Sequence, residues 1–320
     1  NQTFDVTIAD DPIITTQPAL SQTFCVDGIG TLSVGVSGGV GSFTYQWYFN
    51  YTNSNSGGDS LDVYYGAQTN TITIPTFDPD HIYYYCVITQ SGAGCNTIVS
   101  NTAEVTVVDD PTISISTTNA SVCSGQTNSL TANTENGTGT CSIQWQYSTG
   151  SDSGPWTSFG TGLSPQTSPA LTGTTYFQAV YTCNGSGCDI AESNVITTTI
   201  NTLSVAPTSI TSTSTICNGS SITLTVSGGT AGTGAIAEWF TGSCGGTSAG
   251  TGNSITVSPT SNTSYFVRYA GTCNTTTCAT VTVTVDQFTT ANAGSDQTVC
   301  ATAATLAANT PASGVGTWTV

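Results

Sequence analysis

Thiols carry most of the chemistry this chain can offer. Twelve cysteines are spread over 320 residues that hold one histidine, His81, and one basic side chain, Arg268. Zinc sites draw on close C-x2-C pairs and on imidazoles. The close pairs here, Cys183-x4-Cys188 and Cys273-x4-Cys278, have neither the spacing nor a nearby His. So many cysteines in so His-poor a chain therefore point to disulfides and to an extracellular or periplasmic compartment.

His81 is the one candidate general base, in FDPDHIYYY beside Asp78 and Asp80. D-P-D is turn chemistry, and a triad would also need an activated nucleophile and an oxyanion donor. No HExxH or phosphate loop occurs, and no enzyme is expected. Without lysine the chain cannot form Lys–Asn isopeptide staples. Arg268, beside Tyr265 and Tyr269, is expected in a surface ion pair. The carboxylates offer more: Asp10-Asp11 and Asp109-Asp110 each precede a proline, Pro12 and Pro111. Clustered there, they could hold calcium, which needs six to eight oxygens. The plainer reading is that Asp-Asp-Pro ends a strand and keeps a linker solvated. No other cofactor is expected.

Eighteen acidic residues against one basic give a net charge of −17, and charged residues are 6% of the chain. An average soluble domain has roughly 25%. With no cationic patch, nucleic acid and anionic membrane faces are excluded as partners. No apolar run approaches the ~20 residues of a membrane span, so no membrane insertion is expected, and no secretory signal is visible. Sixty-five threonines and 35 glycines favour strands and tight turns over helices.

The elements that must position these groups come in repeats. Aligning Cys25, Cys123, Cys217 and Cys300 gives steps of 98, 94 and 83 residues, and the next tryptophans along, Trp47, Trp145, Trp239 and Trp318, give 98, 94 and 79. Two independent markers share one period. Tyr84, Tyr176 and Tyr265 come next, then a late cysteine (Cys95, Cys188, Cys278) opening a last strand such as NTAEVTV or ATVTVTV. About seven short alternating strands per unit, with one tryptophan on strand C and one tyrosine at the start of strand F, predict an all-β chain of tandem immunoglobulin-like sandwiches. NQTFDVTIADDP at the start matches NTAEVTVVDDP at residues 101–111. The expected division is therefore a last strand of a preceding repeat at 1–10, repeats at 11–108, 109–201 and 202–286, and first strands of a following repeat at 287–320. Short Pro-containing linkers predict repeats set end to end as an elongated, semi-rigid stalk.

Residues 242–285, GSCGGTSAGTGNSITVSPTSNTSYFVRYAGTCNTTTCATVTVTV, and 292–320, NAGSDQTVCATAATLAANTPASGVGTWTV, resemble the Ig-like repeats of giant bacterial cell-surface adhesins exported by type IX secretion, the family of the SprB-type gliding-motility adhesins. The resemblance implies a Thr/Gly-rich filament that folds outside the cell and touches surfaces, polysaccharide or neighbouring cells, with secretion and motility machinery engaged through other regions. It supplies no catalytic residue. Asp59-Ser60-Leu61 matches the acceptor for O-glycans in bacteria that carry such repeats, which makes Ser60 a candidate glycosylation site.

By position in the repeats, outer pairs Cys123–Cys188 and Cys217–Cys278 would tie strand B to strand G, and inner pairs Cys141–Cys183 and Cys244–Cys273 would tie the strand C region to the F–G turn. Four cysteines permit three connectivities, so others stay open. In the first unit Cys25 pairs with Cys95 by analogy, leaving Cys86 a buried thiol; Cys25–Cys86 is the rival. Every bridge is expected inside one repeat, with Cys300 unpaired. Two functions fit: a structural and adhesive segment of an extracellular filament, or non-catalytic carbohydrate-binding modules of a large secreted polysaccharide-degrading enzyme. Tyr48, Phe49, Tyr51, Tyr64, Tyr65 and Trp156 are the aromatics that could stack on sugars.

Overall fold

The computed structural model describes residues 3–4, 8, 10–92, 97–162, 164–213, 215–300, 303–311 and 314–317. It is all-β, with a single short 3-10 turn among the described residues, at Val63–Tyr65. The chain forms two compact units, residues 1–120 with 127–198, and residues 121–126 with 199–320.

The first unit contains the first repeat entire. One sheet runs Ser21–Cys25 (strand A′), Ala103–Val108 (G), Asp80–Gln90 (F), Phe43–Asn50 (C) and Asp59–Ser60 (C′). The opposing strands pair as Ile13–Thr16 (A) with Gly35–Ser37, and Thr31–Ser33 (B) with Thr71–Thr73 (E). Leu32 and Ile72 from the second group and Trp47, Tyr84 and Val105 from the first share one buried cluster, which makes the repeat a sandwich. Alternation sets the faces: AEVTVV at 103–108 buries every second residue. Strand A′ lies parallel to G, with Cys25 opposite Val108.

The second repeat places Thr112–Thr117 (A), Ser129–Glu135 (B) and Gln166–Thr167 (E) in one sheet, and Thr175–Cys183 (F), Cys141–Ser148 (C) and Thr157–Thr161 (C′) in another. Its strand G, Ile196–Asn201, is divided between the units. Residues 196–198 pair with F in the first, and residues 199–201 pair in parallel with Ser121–Cys123 (A′) in the second. The core of this repeat is unusually polar. Asn128 and Thr198 are buried, and the Asn128 amide donates to Thr198 Oγ1 at 3.0 Å while its backbone N–H donates to Ser168 Oγ at 2.8 Å. Buried amides are tolerated only when bonded in this way.

In the second unit the third repeat repeats the pattern: Ser209–Thr211 (A), Ile222–Ser227 (B) and Ser254–Val257 (E) in one sheet; Thr215–Cys217 (A′), Ala279–Asp286 (G), Thr263–Ala270 (F), Ile236–Thr241 (C) and Thr247–Thr251 (C′) in the other. Among the described residues beyond 286 no strand forms. Instead Asn292 and Asn309 bond reciprocally, the Asn309 N–H donating to the Asn292 carbonyl at 3.1 Å and the Asn292 N–H to Asn309 Oδ1 at 2.9 Å. An isolated strand pair is marginal in water, and this Ala- and Thr-rich stretch has little apolar surface to add. The expected strand at 1–10 and Trp318 fall largely or wholly outside the described residues.

Trp47, Trp145 and Trp239 are fully buried on strand C. Opposite them on strand F stand Cys86, Ala179 and Val267, and two residues earlier, on the same face, stand Tyr84, Phe177 and Tyr265. The second repeat thus uses Phe177 where Tyr176 was expected, because a one-residue step on a strand reverses the face. A second correction concerns the first cysteines, which end strand A′ rather than begin strand B.

Trp47→Ala is expected to cost its repeat about 3–5 kcal/mol, read as a lowered urea midpoint. Tyr84→Phe, which copies the second repeat, is expected to cost less than about 1.5 kcal/mol in the same titration.

Candidate functional site

The parallel pairing of A′ with G puts the A′ cysteine at the pole where strand G ends, beside Val108 in the first repeat. The F–G turn of the same repeat lies at the other pole, the length of the 11-residue strand F away, or roughly 35 Å at strand rise. A disulfide requires Cα atoms within about 7 Å. An A′ cysteine therefore cannot reach its own F–G turn.

The structure joins Cys25 to Cys188 and Cys123 to Cys273, with Cα atoms 4.9 and 5.7 Å apart. Each links the A′ end of one repeat to the F–G turn of the next. These bonds replace the expected Cys25–Cys95 and Cys123–Cys188 and the rule that bridges stay inside repeats. Cys244 pairs with Cys278, 5.9 Å between Cα atoms, in place of Cys273, and Cys217 is a free, exposed thiol rather than the partner of Cys278. Cys141 and Cys183, first residue of C and last of F, face each other directly and are bonded. Cys95 lies outside the described residues. Cys300 is free and exposed, and Cys86 is free and buried against Trp47. The Cys25–Cys86 rival fails because Cys86 points into the core.

Around Cys25 the two repeats meet backbone to backbone. The Cys25 N–H donates to the Ser186 carbonyl at 2.9 Å, the Ile29 N–H donates to Ser186 Oγ at 2.8 Å, and Ser186 Oγ donates to the Ile29 carbonyl at 3.2 Å. Gly28 and Gly187 let the turns approach: a Cβ on Gly28 would stand 2.5 Å from the Ser186 carbonyl oxygen, and one on Gly187 (φ +85°) would stand 2.6 Å from that of Val26 and overlap the Gly28 nitrogen. Sequence reading missed Ser186, Gly28 and Gly187, whose only signal was a Ser-Gly-Cys turn.

A second missed group recurs in all three repeats. Ser100, Ser193 and Thr276 each accept a strand F backbone N–H, from Cys86, Ala179 and Tyr269, at 2.9, 2.9 and 3.0 Å. Each hydroxyl in turn donates to the carbonyl of the following residue. These hydroxyls fasten the return from the F–G turn.

Two of the linker aspartates, Asp10 and Asp109, accept through their backbone carbonyls. Gly39 donates to the Asp10 carbonyl at 2.8 Å and Gly137 to that of Asp109 at 3.3 Å, while Asp110 Oδ1 accepts from the Asp189 N–H at 3.4 Å. Among the described residues no three His, Cys, Asp or Glu side chains, those of Asp10, Asp11, Asp109 and Asp110 included, gather into a group that could hold a metal ion. His81 Nε2 lies 2.8 Å from Glu104 Oε1 on an exposed face, with Tyr83 Oη at 3.1 Å. Arg268 pairs with Glu238 at 3.0 Å and lies over the Phe240 ring, 4.9 Å from its centroid. Ser60 is exposed beside strand C.

The aromatics of the first repeat do not form a flat platform. Phe49 and Tyr51 meet edge to face, as do Tyr64 and Tyr65; the one near-parallel pair, Tyr48 with Tyr85, has Tyr85 buried. Tyr64 and Tyr51 are exposed singly.

Residues 205–286 match the family model described as "Ig-like domain CHU_C associated", and residues 112–202 match a domain of unknown function, DUF8696. No curated protein matches the chain. Among solved structures it is similar to the I-band fragment I67–I69 of titin (11% identity, 87% of this chain and 99% of that one, TM-score 0.45). It is also similar to three N-terminal domains of the Highly Immunogenic Outer Capsid protein of bacteriophage RB49 (12%, 87% and 98%, TM-score 0.44). A third likeness is to Sidekick-1 immunoglobulin domains 1–5 (14%, 88% of this chain, TM-score 0.37), of which the chain spans 60%. The chain is a tandem array of Ig-like repeats. Its four disulfides among the described residues suit a secreted or extracellular protein, and among those residues no helix is long and apolar enough to cross a membrane.

Gly187→Val is expected to block docking of the turn, so that Cys25 and Cys188 are recovered mostly as thiols on peptide mapping while Cys141–Cys183 still forms. Burial pushes the Cys86 thiol up from 9.0 to about 12, against a backbone hydrogen bond at Gln46 that lowers it. The neutral thiol stabilises the fold fully below pH 9, and this contribution is lost as pH climbs through about 12. Urea midpoints should fall more steeply over that range in the parent protein than in Cys86→Ala.

Proposed function

We propose that the chain is a force-bearing and adhesive segment of a long extracellular filament, of the kind exemplified by type IX-secreted, SprB-type gliding-motility adhesins. In this reading it contacts surfaces, polysaccharide or neighbouring cells, and regions outside it engage the secretion and motility machinery.

The observation that carries the reading is the covalent route through the bridges. From Cys25 to Cys273 the backbone runs 248 residues. Through the disulfides the route passes Cys25–Cys188, five residues back to Cys183, across to Cys141, eighteen back to Cys123, and across to Cys273. Only 23 backbone residues are then left to extend. A binding module has no need of such a shortcut; a tether under tension does, because it cannot be drawn out even when its repeats unfold. The resemblance of the sequence to surface-adhesin repeats and the Ig-like match support the same reading. The carbohydrate-module alternative lacks the coplanar exposed aromatics that sugar stacking uses.

Pulled from its ends, the oxidised chain should release about 75 nm less contour length than the same chain under reductant, at ~3.4 Å per residue over the 225 residues bypassed. Equal extension in both states overturns the mechanical reading. Beads coated with the chain should adhere to glass or to polysaccharide gel more than uncoated beads. Hydrolysis of a polysaccharide panel by the isolated segment would overturn the structural role.

A further inference from the structure

Cys217 holds in the third repeat the place that Cys25 and Cys123 hold in the first two. Each is the last residue of strand A′ and pairs in parallel with strand G, opposite Val108, Asn201 and Asp286. The residue after each cysteine donates its N–H to that strand G carbonyl: Val26 to Val108, Ser124 to Asn201, Asn218 to Asp286. The carbonyl of each cysteine accepts from the N–H three residues on, in Gly28, Gln126 and Ser220. The third position of each turn is left-handed, Asp27 at φ 61°, Gly125 at 84° and Gly219 at 79°.

The three sites differ in occupancy. Cys25 and Cys123 are bonded to a cysteine of the F–G turn of the next repeat, whereas Cys217 is a free, exposed thiol. It opens on a cleft of about 320 Å³ lined by Asp286, Gln287, Phe288, Thr289 and Pro311.

We propose that Cys217 is a third staple site, whose partner is a cysteine in the F–G turn of a further Ig-like repeat. The sister sites define what fits. The partner turn is built of small polar residues, as in Asn184-Gly185-Ser186-Gly187-Cys188 and Thr272-Cys273-Asn274. Cys300 is not that partner: TVCATAAT aligns with the A′ segments and makes it another staple donor. The bond forms by exchange with a disulfide oxidant, a small-molecule disulfide or an oxidised dithiol protein. One thiolate opens the oxidant to a mixed disulfide, and the second displaces the remaining thiol. Two thiols lose two protons and two electrons, and the oxidant leaves as two thiols. The inference stands whether or not the filament is adhesive, since it rests on the repeat geometry alone.

The test has two arms. In protein isolated without reductant from cells that make it, and alkylated at once, non-reducing peptide mapping should find Cys217 joined to a cysteine lying shortly after an aromatic-rich strand F sequence of another repeat. The mass of the unreduced chain then shows whether that repeat belongs to the same molecule or to a second one. Cys217 recovered as a free thiol, capped by a small thiol, or joined to Cys300 overturns the proposal. In the second arm, residues 287–320 are replaced by a second copy of 202–286, and the chain is refolded in reduced and oxidised glutathione. Labelling of Cys217 by maleimide should drop at least tenfold relative to the parent chain, and C217S should restore a reactive thiol at the second copy of Cys273. Unchanged labelling of Cys217, with Cys244–Cys278 formed in both copies, overturns the proposal without touching the mechanical reading of the existing bridges.

Discussion

The contact on which this structure depends is the one between the end of strand A′ and the F–G turn of the next repeat. It arises from the parallel pairing of A′ with G. That pairing sends the A′ cysteine to the pole where its repeat ends, out of reach of its own F–G turn. The cysteine can be satisfied only by another repeat. A cross-link from this position is by construction a link between successive repeats, and the Gly28–Gly187 approach shows that the backbone is shaped for it.

Composition explains why such links matter. The second repeat has a thin core, with Asn128, Thr198 and Ser168 buried among Ile113, Leu130, Trp145 and Phe177. A core of this kind contributes little per residue beyond the entropy it must offset. Three of the four disulfides have at least one end in that repeat. Its stability is therefore shared with its neighbours through covalent bonds. The abundance of Thr, Ser and Asn serves a related end. Ser100, Ser193 and Thr276 fasten strand F to its return, and Asn194 pairs through its side-chain amide with both the N–H and the carbonyl of Ile115. Hydroxyl and amide side chains do here what larger apolar contacts do in other sandwiches.

The near absence of cations has a structural counterpart. The one guanidinium is held by Glu238 against Phe240, and His81 rests on Glu104.

The amino-acid sequence by itself determined the fold class, the repeat period, the buried tryptophan of strand C and the oxidising compartment. All four are properties of residue type and local alternation, which survive translation along the chain. Pairing of the cysteines was not of this kind. Repeat alignment could say that Cys25, Cys123 and Cys217 were equivalent, yet it placed them on strand B and matched them with cysteines of their own repeat, because nearness in sequence was the only measure of distance at hand. Whether a cysteine stands at the near or the far pole depends on a parallel ladder formed across some eighty residues, and no local pattern encodes that. The same limit applies to Tyr176 and Phe177, where a one-residue step in register decided which ring entered the core. Local chemistry was legible in the residues. The covalent route between repeats was decided only when strand A′ was laid beside strand G.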